Sequence, residues 1–159
     1  MPEQPNPIWR AASRLIAKPR VSAAAMRMAT WIDRPLLKVS QGRLRLSFVI
    51  PCLLLRVRGA KSGELREVPL LYVPDGDDVL LVGSGGGASS RPAWCANLEA
   101  NPEVETLRKG RAERRTAEKL SGEARTSAWS LAVAAYPGYA EYQARVRREI
   151  PVYRLRRAS

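Results

Sequence analysis

The chain has 159 residues, 27 of them basic and 15 acidic, a formal charge of +12, and no histidine. The size fits one domain able to bury a core without disulfide or metal staples. The missing histidine excludes His-based acid–base catalysis, His-containing triads and His-ligated metals, while the charge calls for an anionic partner: nucleic acid, an acidic membrane face or a multiply charged small molecule.

Residues 1–7 carry Pro2, Pro5 and Pro7 and are expected to be loose, with no secretory leader. Residues 8–17 and 21–32 read as two short helices divided by Pro19. Both interleave apolar and basic side chains and include Trp9 and Trp31. Such a segment suits an anionic membrane surface, and it equally suits a helix packed over one end of a barrel. The expected organisation is a helical extension over 1–35 and one folded domain over 36–159.

Residues 36–46 are ambiguous, and 47–58 form a strand disturbed at its start by Pro51. Residues 64–72 and 78–84 are expected to pair across a turn containing Pro74 and Gly76. A helix begins at Pro92 and ends near Asn101, and 104–107 with 112–119 make a hairpin around Lys109 and Gly110. Ser121 is placed to cap a helix over 122–135 with Glu123 in its first turn. Pro137 interrupts that helix, 139–148 resumes it, and 150–155 is a last strand. Short strands with peripheral helices indicate an α+β barrel-like domain rather than a parallel βαβ sheet. Cys52 and Cys95 read as reduced core thiols of a cytosolic protein, and no uncharged run approaches the roughly 20 residues of a membrane span.

Two loops carry the chemistry. Gly59, Ala60, Lys61, Ser62 and Gly63, followed by Arg66, match neither the P-loop nor the dinucleotide fingerprint. They still join free glycines, a hydroxyl, a point charge and a bidentate fork, which suits phosphate or carboxylate. A tight turn with solvated basic side chains is the plainer reading. Residues 83–90 hold Gly85, Gly86 and Gly87 in succession, then lead to a helix start. Three glycines cost folding entropy, so close approach of a ligand is one explanation and a surface turn the other. Trp94 and Leu98 share a helix face that suits either a core stripe or a pocket wall. Tyr136, Tyr139 and Tyr142 recur every third residue and fit either a pocket for a planar ring or an ordinary aromatic helix face.

These residues carry a family likeness. Gly59, Lys61, Ser62, Gly63, Arg66, Pro69, Leu70 and Tyr72, then Ser84, Gly86, Gly87, Ala88, Pro92, Trp94, Asn97, Leu98, Asn101 and Pro102, resemble the deazaflavin (coenzyme F420)-dependent nitroreductase and quinone reductase family. So does the tail with Tyr136, Pro137, Tyr139, Tyr142, Gln143, Arg148, Ile150, Pro151 and Val152. The resemblance, over about residues 48–155, implies a split β-barrel related to FMN-binding oxidases, with F420 in place of FMN. It implies that Lys61, Ser62 and Arg66 meet the acidic tail of the cofactor, and that Pro69, Leu70, Gly83, Ser84, Gly86, Gly87, Ala88 and Trp94 approach it. It implies that Trp94, Tyr136, Tyr139 and Tyr142 surround the substrate, a menaquinone-like quinone or an activated nitro compound. Tyr136, Tyr142 and Ser84 are the candidate catalytic donors to oxygen that gains negative charge.

Gly85 stands where many relatives carry lysine, Leu71 where an aromatic is frequent, and Arg91 where His or another polar residue is frequent. The first two weaken a nitroimidazole-activating specificity without touching the cofactor expectation. An FMN- or haem-binding split-barrel protein is the first alternative. A basic nucleic-acid-binding protein is the second, suggested by the arginines at 111, 114, 115, 145, 147, 148, 154, 156 and 157, although no sequence-specific module is evident.

Overall fold

The computed structural model describes residues 51–158. The helical extension over 1–35, its boundary, and the readings of residues 36–50 lie outside the described residues. In chain order come β1 (Cys52–Arg58), β2 (Leu65–Leu71), β3 (Val73–Asp75), β4 (Asp78–Val82), α1 (Ala93–Ala100), β5 (Glu103–Arg108) and β6 (Arg111–Lys119), then α2 (Gly122–Ala135), α3 (Gly138–Arg145) and β7 (Val152–Arg157).

Among the described residues the strands form one antiparallel seven-stranded sheet in the order β2-β1-β5-β6-β7-β4-β3, with β2 and β3 at its ends. Its two edges, β2 and β3, are separated in sequence only by Tyr72. A single residue can join opposite edges only if the sheet curls back on itself, so the sheet is a barrel left open along one seam. The amide of Tyr72 donates to the Pro51 carbonyl at 3.1 Å and fixes that corner. The α+β barrel expected from the sequence is present.

Two cores stabilise it. Leu53, Leu55 and Val57 of β1, Val79 and Leu81 of β4, Val104, Tyr153 and Leu155 point into the barrel, where Trp94, Cys95 and Leu98 of α1 plug one end. Leu80, Val82 and Val152 face outward and are covered by Ala128 and Ala132 of α2, then Tyr136, Tyr139 and Tyr142. β4 is therefore covered on both faces, which explains its unbroken apolar run. Each fully buried Leu contributes about 1.5–3 kcal/mol.

Several expectations change. Residues 64–72 and 78–84 do not pair with each other. β2 pairs with β1, and β4 pairs with β3 and β7, because the chain crosses from one edge to the other at Tyr72. Ser121 makes no side-chain cap; its carbonyl accepts the Arg125 N–H instead, at 3.2 Å. The helix expected over 139–148 ends at Arg145. The last strand begins at Val152, since Pro151 lacks an N–H and the Ile150 amide goes to the Gln143 side chain. The hairpin around Lys109 and Gly110 forms as expected, with φ of 50° and 76° at those residues, the left-handed pair of a tight primed turn.

Candidate active site

Helix α1 brings the two chemistry-bearing loops to one end of the barrel. At its start, a Cβ on Gly85 would lie 3.3 Å from Pro92, and one on Gly83 only 2.8 Å from the Cys95 sulfur. Farther along, Asn97 Oδ1 accepts the Ala60 N–H at 2.9 Å, and Asn101 Nδ2 donates to the Arg58 carbonyl at 3.3 Å. The glycine loop and the basic turn are thus anchored about 7.5 Å apart along one helix axis, at 1.5 Å per residue.

The basic turn is built by local bonds. Gly59 N–H donates to the Glu64 carbonyl at 2.8 Å, Gly63 N–H to the Gly59 carbonyl at 2.9 Å, and Arg58 Nη1 to the Gly63 carbonyl at 3.0 Å. Ser62 Oγ accepts the Glu64 N–H at 3.3 Å and occupies the space a Cβ on Gly59 would need, 2.6 Å away. Lys61 and Ser62 are exposed at the tip. Arg66, also exposed, pairs with Glu64 at 2.8 Å, a contact soft enough to exchange for an anionic ligand. Pro69 and Leu70 are half-buried in β2 and, as neighbours in a strand, face opposite sides; Leu70 packs on the barrel core.

Gly85, Gly86 and Gly87 all adopt left-handed backbone, with φ of 58°, 67° and 80°. Ser84 is buried at the loop's start and Ala88 is exposed at its end. Gly86 N–H donates weakly to Ser84 Oγ at 3.4 Å. Arg148 grips the loop from behind, donating to the carbonyls of Gly83, Ser84 and Ala88 at 3.0–3.3 Å.

The loop touches the tyrosines directly: a Cβ on Gly87 would lie 3.2 Å from Tyr142 Cδ1. Tyr136, Tyr139 and Tyr142 are all buried, and their rings meet at centroid distances of 4.9, 6.0 and 6.4 Å. The hydroxyls of Tyr136 and Tyr142 share a hydrogen bond of 3.0 Å. Burial drives the acidity of Tyr136 and Tyr139 well below that of a free phenol, and at Tyr136 the Tyr142 hydroxyl adds to the effect. Both stay protonated, as donors rather than bases. Trp94 stands apart, 5.6 Å edge-on from Tyr153 in the barrel core. Cys95 lies beside it, its thiol pushed up to about 11 by burial, so it is not a nucleophile at neutral pH.

Sequence reasoning assigned no role to Asn97 or Gln143 and read Arg148 only within a basic run, although all three fall in the family motifs. Their contacts join positions 37, 60 or more, and 5 or 7 residues apart, and polar residues that tether loops carry no periodic signal. Among the described residues no group of His, Cys, Asp and Glu suits a metal ion, and no helix is long and apolar enough to cross a membrane.

A curled antiparallel barrel plugged by one helix and carrying a helix pair outside defines the split-barrel class. A heme binding protein from Mycobacterium smegmatis shares this fold, with a TM-score of 0.53 at 15% identity over 74% of this chain and 49% of that one. Residues 25–156 match the profile of the F420H(2)-dependent quinone reductase family, and the chain belongs to that family of F420-dependent oxidoreductases. An F420H(2)-dependent quinone reductase of Mycobacterium tuberculosis is 49% identical over 55 residues, which span 35% of this chain and 37% of that protein. A second M. tuberculosis protein, which carries the same reductase name provisionally, is 36% identical over 109 residues, 67% of this chain and 90% of its own length. The solved structure of an F420-H2 dependent reductase superposes with a TM-score of 0.62 at 43% identity, covering 66% of this chain and 93% of that one.

Proposed function

We propose that this chain is an F420H2-dependent oxidoreductase that reduces a quinone, or an activated nitro compound, at the end of the barrel closed by α1. The observation that carries the reading is the convergence on α1 of a cationic turn and a left-handed glycine loop whose far side rests on Tyr142. The donor set fits the cofactor: Lys61 and Arg66 are exposed cations beside the Ser62 hydroxyl, suited to phosphate and carboxylate. F420, when bound, supplies the hydride. Lys61, Ser62 and Arg66 hold its acidic tail, while Pro69, Leu70 and the loop from Gly83 through Ser84, Gly86, Gly87 and Ala88 shape the place for its ring. Trp94 contributes by setting α1 against the core.

The substrate side belongs to Tyr136, Tyr139 and Tyr142. The Tyr136 and Tyr142 hydroxyls share a hydrogen bond, and the pair is the proposed donor to an acceptor oxygen. At Tyr136 burial opposes loss of the proton, so that hydroxyl stabilises negative charge by hydrogen bonding and not by acting as an acid. Ser84 Oγ accepts from Gly86 and keeps its own O–H for a second donation. Tyr139 packs between Trp129 and the other two rings and holds the pair in place. An acidic membrane surface, where lipid-soluble quinones reside, is the proposed partner of the basic segment before residue 33.

Absorbance titrations with F420 and with FMN, followed by turnover of F420H2 against menaquinone analogues and nitroaromatics, test the proposal. Saturable F420 binding with quinone-dependent F420H2 oxidation is expected. Saturable binding of FMN but not F420 would overturn it.

A further inference from the structure

Three left-handed glycines in succession do not hold themselves. Each surrenders more backbone freedom than any other residue, and the loop's own bonds are few: Gly87 N–H to the Ser84 carbonyl at 3.0 Å, Ala88 N–H to the Gly85 carbonyl at 3.4 Å and Gly86 N–H to Ser84 Oγ at 3.4 Å. Among the described residues, what closes the loop is a single side chain. Arg148 Nη1 donates to the Gly83 carbonyl at 3.2 Å, Nη2 to those of Ser84 at 3.0 Å and Ala88 at 3.1 Å, and Nε to Ala88 again at 3.3 Å. One planar guanidinium therefore bridges both ends of residues 83–88.

The grip has a directional consequence. No peptide bond among the described residues is cis, and across a trans peptide the N–H points opposite to the C=O. Turning the carbonyls of Gly83, Ser84 and Ala88 toward Arg148 turns the amides of Ser84, Gly85 and Ser89 away from it. None of those three amides meets a backbone acceptor among the described residues. Arg148 is itself fixed from the tyrosine helix. Gln143, the neighbour of Tyr142, donates Nε2 to the Arg148 carbonyl and accepts the Ile150 N–H at Oε1, both at 2.9 Å.

We infer that Arg148 is a positioning residue: it holds the glycine loop's carbonyls so that the opposite side presents amide donors, at a spacing from Tyr142 set through Gln143. The ligand of those donors is an uncharged carbonyl or oxyanion oxygen, and in assigning them to a ring or its acceptor the inference rests on the function proposed above.

The test uses the full chain with Arg148→Met, which keeps the stem and removes the fork, and Arg148→Lys, which keeps the charge but cannot bridge both loop ends. Amide hydrogen exchange without any ligand reads the loop alone. In both variants exchange at the hydrogen-bonded amides of Gly86, Gly87 and Ala88 should accelerate about tenfold or more while the barrel strands keep parent rates. F420 titration should show a dissociation constant raised about tenfold in Arg148→Met and partly restored in Arg148→Lys. Turnover should lose kcat with little change in quinone KM, the pattern of a donor misplaced for the transition state. Parent-like loop exchange and F420 affinity in a folded variant overturn the inference, and if Arg148→Met does not fold, Arg148→Lys decides it alone. If the parent chain binds no F420, the functional reading fails, while loop exchange still decides the role of Arg148.

Discussion

At the residue scale the tyrosine pair is the most informative feature. Tyr→Phe at 136 or 142 keeps the ring and removes one partner of the 3.0 Å hydroxyl bond. With the pair as donor to the acceptor oxygen, turnover should fall roughly 10- to 100-fold, about 1.4–2.7 kcal/mol, with F420 affinity nearly constant. Stopped-flow oxidation of bound F420H2 by a quinone isolates the step; parent rates in both variants would make the tyrosines wall alone. Lys61→Ala and Arg66→Ala should do the reverse, raising the F420 dissociation constant roughly tenfold with turnover of the saturated enzyme retained, as charge-assisted bonds at an exposed turn are partly screened. Calorimetry measures this directly.

Glu99 gives a prediction that is independent of function. Its Oε1 gathers Arg91 at 2.5 Å, the Tyr153 hydroxyl at 2.7 Å and Lys119 at 3.2 Å, pinning α1 to β6 and β7. The Arg91 hydrogen bond, joined by those of Tyr153 and Lys119, holds its carboxyl at about 2 against an ordinary 4.5. A pKa lowered in the fold gives stability that is fully present above about 4.5 and is lost as pH falls toward 2. Glu99→Gln should therefore lower Tm by about 2–4 °C at pH 7, for about 1 kcal/mol in a chain of this size, and the gap should close in acid. A gap that persists unchanged at pH 2 would trace the loss to packing.

At the element scale the loop of residues 83–88 is the part least able to accept change. Gly87 combines a φ of 80° with a would-be Cβ contact of 3.2 Å to Tyr142. Gly87→Ala should cost about 1–3 kcal/mol in stability from backbone strain alone, and it should disturb the Tyr142 ring. Gly63→Ala, at a φ of 68° with open space around it, carries the strain without the collision, so thermal melts of the two variants separate the effects. A smaller loss in Gly87→Ala than in Gly63→Ala would show that the loop does not rest on Tyr142. The hairpin at Lys109 and Gly110 was legible in advance because its turn chemistry is local. The pairing of β2 was not, because the residue types in 64–72 mark a strand and say nothing of which edge it joins.

At the scale of the whole molecule, the surplus of 27 basic over 15 acidic residues favours anionic partners of any size. Flotation with anionic and neutral vesicles should place the full chain on anionic vesicles only, and deletion of residues 1–32 should abolish the contact. Binding undiminished by the deletion would assign it to the basic strands β6 and β7.

The sequence by itself determined the elements whose cause is local: the turn at 109–110, the helix after Pro92, and the motifs whose order marked the family. It also delivered the basic turn, the glycine loop and the tyrosines as separate candidates. Only the tertiary structure decided how they meet. α1 draws two loops together through Asn97 and Pro92, Tyr72 carries the chain across the barrel seam, and Arg148 ties the loop to the tyrosine helix. Those ties are made by polar side chains across tens of residues, and their partners are set by the closed path of the sheet, which no local pattern of hydrophobicity or turn residues encodes.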